Sequence, residues 1–400
     1  MQNIFDKFVL LKFAAQHGLQ NENATAYTRA QAMGSDWLLD QIERANLEGK
    51  GGARFPTHKK MRLHRLQEAP VKHLVVNGAE HEPGSFKDNW LQTHHPSAVV
   101  DGALCIAFGV GATHVHFAIN EINHEAIEAM RMVVGNLRRT RKDFPTLLVH
   151  TIPDVYVAGE ETALIRVLEG HPPMPSGRPP FPIESGLHSA PTLVHNAETV
   201  AHVPYIVLSD ADTYRQLGRN GLGPTLCTFG KEFVQDGVRL VPQGITINEL
   251  IDEYGGGLHS QQAVVAIQPG GPSSAYLSST DFACAFDVKS LMAQGSSLGC
   301  AAIRGYADAA DLIDAVREIT DFFAISSCGQ CPPCGMQTRM LSTIMKQIAA
   351  GKASRSLIDQ VSLITKANQG KGLCGLIRMP VAPIESLLHR FPSVVSGRQV

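Results

Sequence analysis

Cys328, Cys331 and Cys334 stand within seven residues of one another, and Cys374 follows after 39 more. Four thiolates at C-x2-C-x2-C…C spacing are the usual ligand set of a [4Fe–4S] cluster. The triplet wraps three corners of a cube and the distant cysteine closes it, so the chain between them must return to its start. A tetrahedral zinc site is the competing reading, but four-cysteine zinc sites usually pair one C-x2-C with a second. Here three cysteines are packed together and one stands alone, an asymmetry that favours the cubane. Such a cluster moves one electron at a time, so another part of the chain must supply the electrons. Cys105, Cys227, Cys284 and Cys300 are scattered among apolar or small neighbours and read as core filler.

A chain of 400 residues can bury two or three domains. Its 35 basic and 37 acidic residues leave no footprint for nucleic acid and no polybasic membrane patch. The most apolar run, Ala98 to Val110, is short and holds Asp101, so no membrane span is predicted. The N-terminus has no basic region followed by a long apolar run, and no secretory signal is expected. Eight cysteines without such a signal point to a reducing, cytoplasmic setting and to metal ligation over disulfides.

Residues 1–48 read as a polar helical segment. Residues 49–212 alternate apolar runs with helical stretches, which predicts an α/β domain with parallel strands. The strands are expected at Lys72–Val76, Thr113–Ile119 and Thr146–Thr151, with a helix over Ser97–Phe108 and another over Glu160–Leu168. The proline-rich stretch 171–186 cannot be a regular helix or central strand and reads as an ordered loop or linker. Residues 213–304 offer strands at Thr225–Phe229, Val238–Val241 and Val264–Gln268 around a helix at Ile247–Tyr254, which suits a small β-grasp domain. Residues 305–400 are helical. Leu312, Ile313, Val316, Ile319 and Phe322 share one helix face, and Met336, Met340, Leu341, Ile344, Met345 and Ile348 share another. The methionines read as helix packing, and the cysteine triplet falls in the loop between these two helices.

Three further segments bear chemistry. Gly49-Lys50-Gly51-Gly52-Ala53-Arg54-Phe55 could bring backbone N–H groups against a phosphate or a flavin ring, with Lys60 as a cation. A surface turn is the plain alternative. Asn77-Gly78-Ala79-Glu80-His81-Glu82 follows the first strand, where ligands of parallel sheets sit. Its two carboxylates exceed what a fold needs, unless the segment is only a solvated turn. Tyr156-Val157-Ala158-Gly159-Glu160-Glu161 joins the third strand to a helix, and its glutamates would suit a helix N-terminus on electrostatic grounds alone.

In this order, together with Pro179-Pro180-Phe181-Pro182 and Asn196-Ala197-Glu198-Thr199, these segments resemble the flavin- and NADH-binding subunit of respiratory complex I and related NAD-linked diaphorases. The resemblance runs from about Gly49 to the C-terminal region. It implies a Rossmann-like FMN domain, a β-grasp domain of SLBB type and a helical bundle with the cluster on Cys328, Cys331, Cys334 and Cys374. It implies that FMN meets Gly49, Gly51, Lys60, Asn77, Glu80, Tyr156, Gly159, Glu160, Val194, Asn196 and Thr199. NAD(H) or NADP(H) would lie near Gly52, Phe55, Glu82, Glu161, Arg178 and Phe181. The implied partner is an electron-accepting or electron-donating protein such as a [2Fe–2S] protein or a ferredoxin.

Several positions depart from the complex I pattern. Lys50 replaces an arginine, Arg54 a glycine, Ala79 an aspartate, Leu63 an aromatic residue and His195 an asparagine. Asn77-Gly78-Ala79-Glu80 is similar instead to the C subunit of Rnf-type ferredoxin:NAD oxidoreductases. Arg54 would either touch the nucleotide, as a partner for a 2′-phosphate, or block its pocket. Two functions follow: an NAD(P)H-oxidising diaphorase subunit, or an FMN and [4Fe–4S] relay without a working nicotinamide site. The cubane reading predicts that Cys374→Ser loses bound iron and the paramagnetic signal of the reduced cluster while the flavin stays. Retained iron would overturn the ligand assignment.

Overall fold

Runs rich in valine and leucine form the middle of a four-stranded, all-parallel sheet. The computed structural model describes residues 24–140 and 143–396. The strands are β1 (His73–Gly78), β2 (His114–Asn120), β3 (Thr146–Ile152) and β4 (Thr192–Asn196), in the order β3-β2-β1-β4. The first three start within one residue of their expected positions and run one or two residues further. Asn77 and Gly78 have poor strand propensity, but β2 pairs with both and β4 with Asn77. β4, the five residues that follow Pro191, lies outside the expected strands.

Alternation along the strands feeds two cores. Leu74 and Val76 join the larger one, and Val75 joins the smaller one on the opposite face. The larger core is closed by helices Pro96–Val110, His124–Thr140 and Ala197–Leu208. Helices Thr25–Met33 and Ser35–Arg44 add Tyr27, Leu38, Leu39 and Ile42 to the same core. The expected N-terminal segment is thus helical over these spans, and its first 23 residues lie outside the described ones. The smaller face is covered by helix Glu161–Leu168.

A five-stranded mixed sheet follows: β5 (Pro224–Phe229), β6 (Gly237–Pro242), β7 (Ala266–Gln268), β8 (Leu277–Ser278) and β9 (Ala302–Tyr306), in the order β6-β5-β9-β7-β8. Its central pair β5 and β9 is parallel and the flanking pairs are antiparallel. The helical stretch 247–254 starts on a Thr246/Glu249 capping box and packs Ile247, Leu250 and Ile251 into this sheet's own core.

Four longer helices, Asp311–Ser326, Pro332–Ala349, Arg355–Ala367 and Val381–Arg390, form the last layer. Leu341, Ile344, Met345 and Ile348 are buried as expected, but Met336 and Met340 are 50% and 40% exposed. Cys334, Gln337 and Thr338 face inward at the start of that helix, which turns the two methionines outward. Phe323, not Phe322, is the fully buried aromatic of the preceding helix. Cys105 and Cys227 are core residues and Cys284 packs against the second core, whereas Cys300 lines a cavity described below. Among the described residues no helix is long and apolar enough to cross a membrane.

Asp101, buried within helix Pro96–Val110, has a specific use. Its carboxylate accepts from the backbone N–H groups of Ala26 (2.9 Å) and Tyr27 (2.8 Å), satisfying the start of helix Thr25–Met33. Asp101→Ala strands those donors and should cost about 2–4 kcal/mol. Thermal unfolding of the purified protein measures it, and an unchanged midpoint would reject the role.

Candidate functional site

Parallel strands bring all their carboxyl ends to one edge, and in the order β3-β2-β1-β4 the succession of strands switches sides between β1 and β4. Asn77 and Asn196, which end these strands, are register partners. Asn77 donates to the Gly159 carbonyl at 2.9 Å, tying in the segment after β3. Asn196 donates to the Asn77 carbonyl at 3.3 Å and caps helix Ala197–Leu208 through Glu198 N–H. The glycine loop 49–52 passes over this point. A Cβ on Gly51 would lie 3.2 Å from Asn196 Cβ, and Gly52 sits at φ +103°, so both positions call for glycine.

The result is a cavity of about 570 Å³, a size typical of cofactor sites. Of the expected residues it gathers Gly49, Gly51, Gly52, Phe55, Lys60, Asn77, Glu80, Glu82, Tyr156, Gly159, Glu160, Glu161, Arg178, Val194 and Asn196. Two do not line it. Phe181 is 51% exposed beyond the wall, and Thr199 is buried with its hydroxyl accepting from Lys50 N–H at 2.8 Å. Leu63 is half exposed on helix Thr57–Arg65 and does not line the cavity either. Residues that motif reading overlooked complete the wall: Ser85, Lys87 and Asp88 after β1, Ser273, Ser297, Gly299 and Cys300 from the second sheet's loops, and Gly375, Leu376, Arg378 and Met379 beyond the last cysteine. Lys87 and Asp88 lie within about a dozen residues of Asn77 and could have been flagged by their charge. Those after Asp88 come from distant loops without a local signal.

The carboxylates are not a solvated turn. Glu80 accepts from the backbone N–H groups of Asp88 and Asn89 at 3.0 Å and from the Ser85 hydroxyl, so it starts helix Lys87–His94. Burial, helped by Asp88, pushes its pKa up to about 7. Burial does the same to Glu82, against the opposing hydrogen bond from Tyr156 Oη at 2.8 Å. Glu160 caps helix Glu161–Leu168 through Thr162 and Ala163 N–H, so the electrostatic role foreseen for it is present. Glu161 holds Lys60 at 2.5 Å, and Arg178 spans Glu160 (2.8 Å) and Glu161 (3.3 Å). Behind them Lys87 is buried between Asp88 (2.9 Å) and Glu198 (3.0 Å). Despite its burial, these partners hold the ammonium charged.

A second, small cavity is lined by Cys328, Cys331, Cys334 and Cys374 together. Leu373 N–H donates to Cys331 Sγ at 3.4 Å, and Ser327 Oγ lies 3.7 Å from Cys334 Sγ. Among the described residues no three ligating side chains converge closely enough for a single metal ion. Four thiolates around one cavity suit a four-iron cube, each of whose irons takes one cysteine. The proline-rich loop lies over this site, since Pro175 lines it and accepts from Gln330 Nε2 at 3.0 Å. Val157, Cys374 and Leu376 line both cavities and form a shared wall.

The larger cavity fits a flavin nucleotide on three observations: the Gly51 cradle, the unpartnered His195 Nε2 and the unpartnered Arg54 Nε and Nη1. His195 is buried, which keeps its imidazole neutral. Fold and site thus define a flavin-binding iron–sulfur electron-transfer protein. Residues 42–205 match the family described as the Nuo51 FMN-binding domain, and residues 314–398 the NADH-ubiquinone oxidoreductase-F iron-sulfur binding region. The F subunit of the Rhodobacter capsulatus NADH-quinone oxidoreductase is 31% identical over 91% of this chain and 88% of its own length. That of Rickettsia bellii (strain OSU 85-389) is 32% identical over 91% and 90%. An NAD+-reducing [NiFe]-hydrogenase in its H2-reduced state superposes with a TM-score of 0.87 at 27% identity. The match covers 95% of this chain and 65% of that hydrogenase chain. The chain belongs to the family of NADH-quinone oxidoreductase F subunits, with FMN and a [4Fe–4S] cluster as its cofactors.

Tyr156 is the donor that restrains Glu82. Tyr156→Phe should move the Glu82 titration upward from about 7, read as the carboxyl band in pH-dependent infrared difference spectra against Glu82→Gln. An unmoved band would remove Tyr156 from that role.

Proposed function

We propose that this chain is a diaphorase-type subunit that oxidises NADH at its flavin and delivers single electrons through its cluster to a partner protein. The observation that carries this reading is the shared wall of Val157, Cys374 and Leu376 between the two cavities. A flavin bound in one has the cluster's fourth ligand on its border. When bound, the flavin supplies hydride acceptance and the step from electron pairs to single electrons, and the cluster supplies the one-electron relay.

The chain's own residues bind, orient and shield. Gly49 to Gly52 give backbone approach, and Asn77 and Asn196 fix the strand ends beneath. Phe55, half exposed at the rim, offers an apolar face for a dinucleotide base, and Arg178, held by Glu160 and Glu161, stands on the same wall. Glu80 and Glu82, with pKa values near 7, can each hold or release a proton beside the ligand. Ser297, Gly299 and Cys300 close the cavity from the second sheet and exclude water on that side.

The division into a flavin and dinucleotide domain over 49–212, a β-grasp domain over 213–304 and a helical cluster bundle over 305–400 is part of this proposal. The parallel central pair with antiparallel flanks and one packed helix supports the β-grasp reading. Four thiolates committed to an iron–sulfur cluster support a reducing, cytoplasmic setting. The exposed Cys328 edge supports a protein partner docking there. The alternative, a relay without a nicotinamide site, required Arg54 to block the pocket. Its side chain turns instead into the seam toward Gly299, which favours the diaphorase. Anaerobic addition of NADH to the reconstituted chain should bleach the flavin absorbance. Bleaching by neither NADH nor NADPH would overturn the proposal in favour of the relay.

A further inference from the structure

Arg54 is placed at a cost and left incomplete. Its backbone adopts φ +52°, a left-handed conformation that a side chain disfavours. The side chain is only 9% exposed. Nη2 donates to the Gly299 carbonyl at 3.2 Å, across the seam between the two sheets, while the buried Nε and Nη1 have no partner. Buried guanidinium donors normally find an acceptor.

Lys50, 2% exposed, stands beside it. Its ammonium donates to the Pro224 carbonyl at 3.0 Å, and burial together with Arg54 lowers its pKa to about 7. Among the described residues neither cation makes an ion pair. The nearby Glu198 is already engaged by Lys87, the Thr225 hydroxyl (3.1 Å) and Leu226 N–H (2.7 Å). Glu48 and Glu198 favour both charges from a distance without pairing to either, and the unpartnered Arg54 donors leave room for an anion. Both line the larger cavity.

The place within the cavity distinguishes among anions. Gly51, between the two cations in sequence, packs on Asn196, and Lys50 N–H is fixed to Thr199 in the first turn of helix Ala197–Leu208. The 12-residue helix adds its positive end to the same corner. Phe55 and Arg178, the residues suited to a dinucleotide, are the more exposed part of the lining, and Arg54 is turned away from solvent.

Resting on the FMN reading above, we propose that Arg54, together with Lys50, binds the terminal phosphate of the flavin mononucleotide and makes the site select FMN over riboflavin. Arg54 is not, on this account, a 2′-phosphate reader for NADPH. The test uses the full chain stripped of flavin and titrated with FMN and with riboflavin by flavin fluorescence. Arg54→Gly relieves the left-handed strain and Arg54→Gln keeps the length without the charge. Thermal unfolding of the stripped variants controls for folding. Each variant should weaken FMN about tenfold or more while riboflavin changes less than about twofold. Inorganic phosphate should compete with FMN in the parent and less in the variants. Equal weakening of both flavins, or unchanged FMN affinity, would overturn the proposal. So would an unchanged FMN affinity accompanied by weaker binding of NADPH, which would assign Arg54 to the dinucleotide. A parent chain that binds neither flavin would instead overturn the FMN reading itself.

Discussion

The buried ammonium of Lys87 holds the site's floor together. It lies between Asp88 and Glu198 and also reaches Asn196 Oδ1 at 3.3 Å. Glu198 carries the connection onward, because it accepts from Thr225 and Leu226 at the start of β5. One ion-pair network therefore joins the helix after β1, the helix after β4 and the second sheet. A buried network of this kind adds little net stability when complete, but loss of one member costs several kcal/mol. It fixes how the second sheet's loops meet the glycine loop, and that meeting closes the cavity.

The central strands and the cysteine loop were legible because their signals are local. Val75, Val115 and Leu147 sit in apolar runs whose alternation reports a two-sided sheet. The triplet spacing reports its own chemistry. What could not be read depends on tertiary packing. β4 is short, and its strand character comes from pairing with β1. Met336 and Met340 follow the helical period, but the inward set of Cys334, Gln337 and Thr338 moves that face. Cys300 reads as core filler and lies instead on the cavity wall, because the second sheet brings its loop there. Phe181 and Thr199 come from motif position alone, and the local packing keeps both off the wall.

The proline-rich stretch is an ordered cover and not a linker. Arg178 anchors it to the two glutamates that begin helix Glu161–Leu168, and Pro175 anchors it to Gln330 in the cysteine loop. A segment without regular structure thus touches the larger cavity through Arg178 and the cysteine-lined cavity through Pro175.

Asn77 and Asn196 carry a consequence for ligand selection. Their side chains bind backbone carbonyls of neighbouring segments, so three strand ends are fastened before anything enters the cavity. The entropy of ordering those segments is spent during folding and is absent from the binding step. Differences in affinity between two ligands at this floor then report the contacts each one makes, with little contribution from loop closure. A single changed side chain can therefore retune selectivity without rebuilding the site.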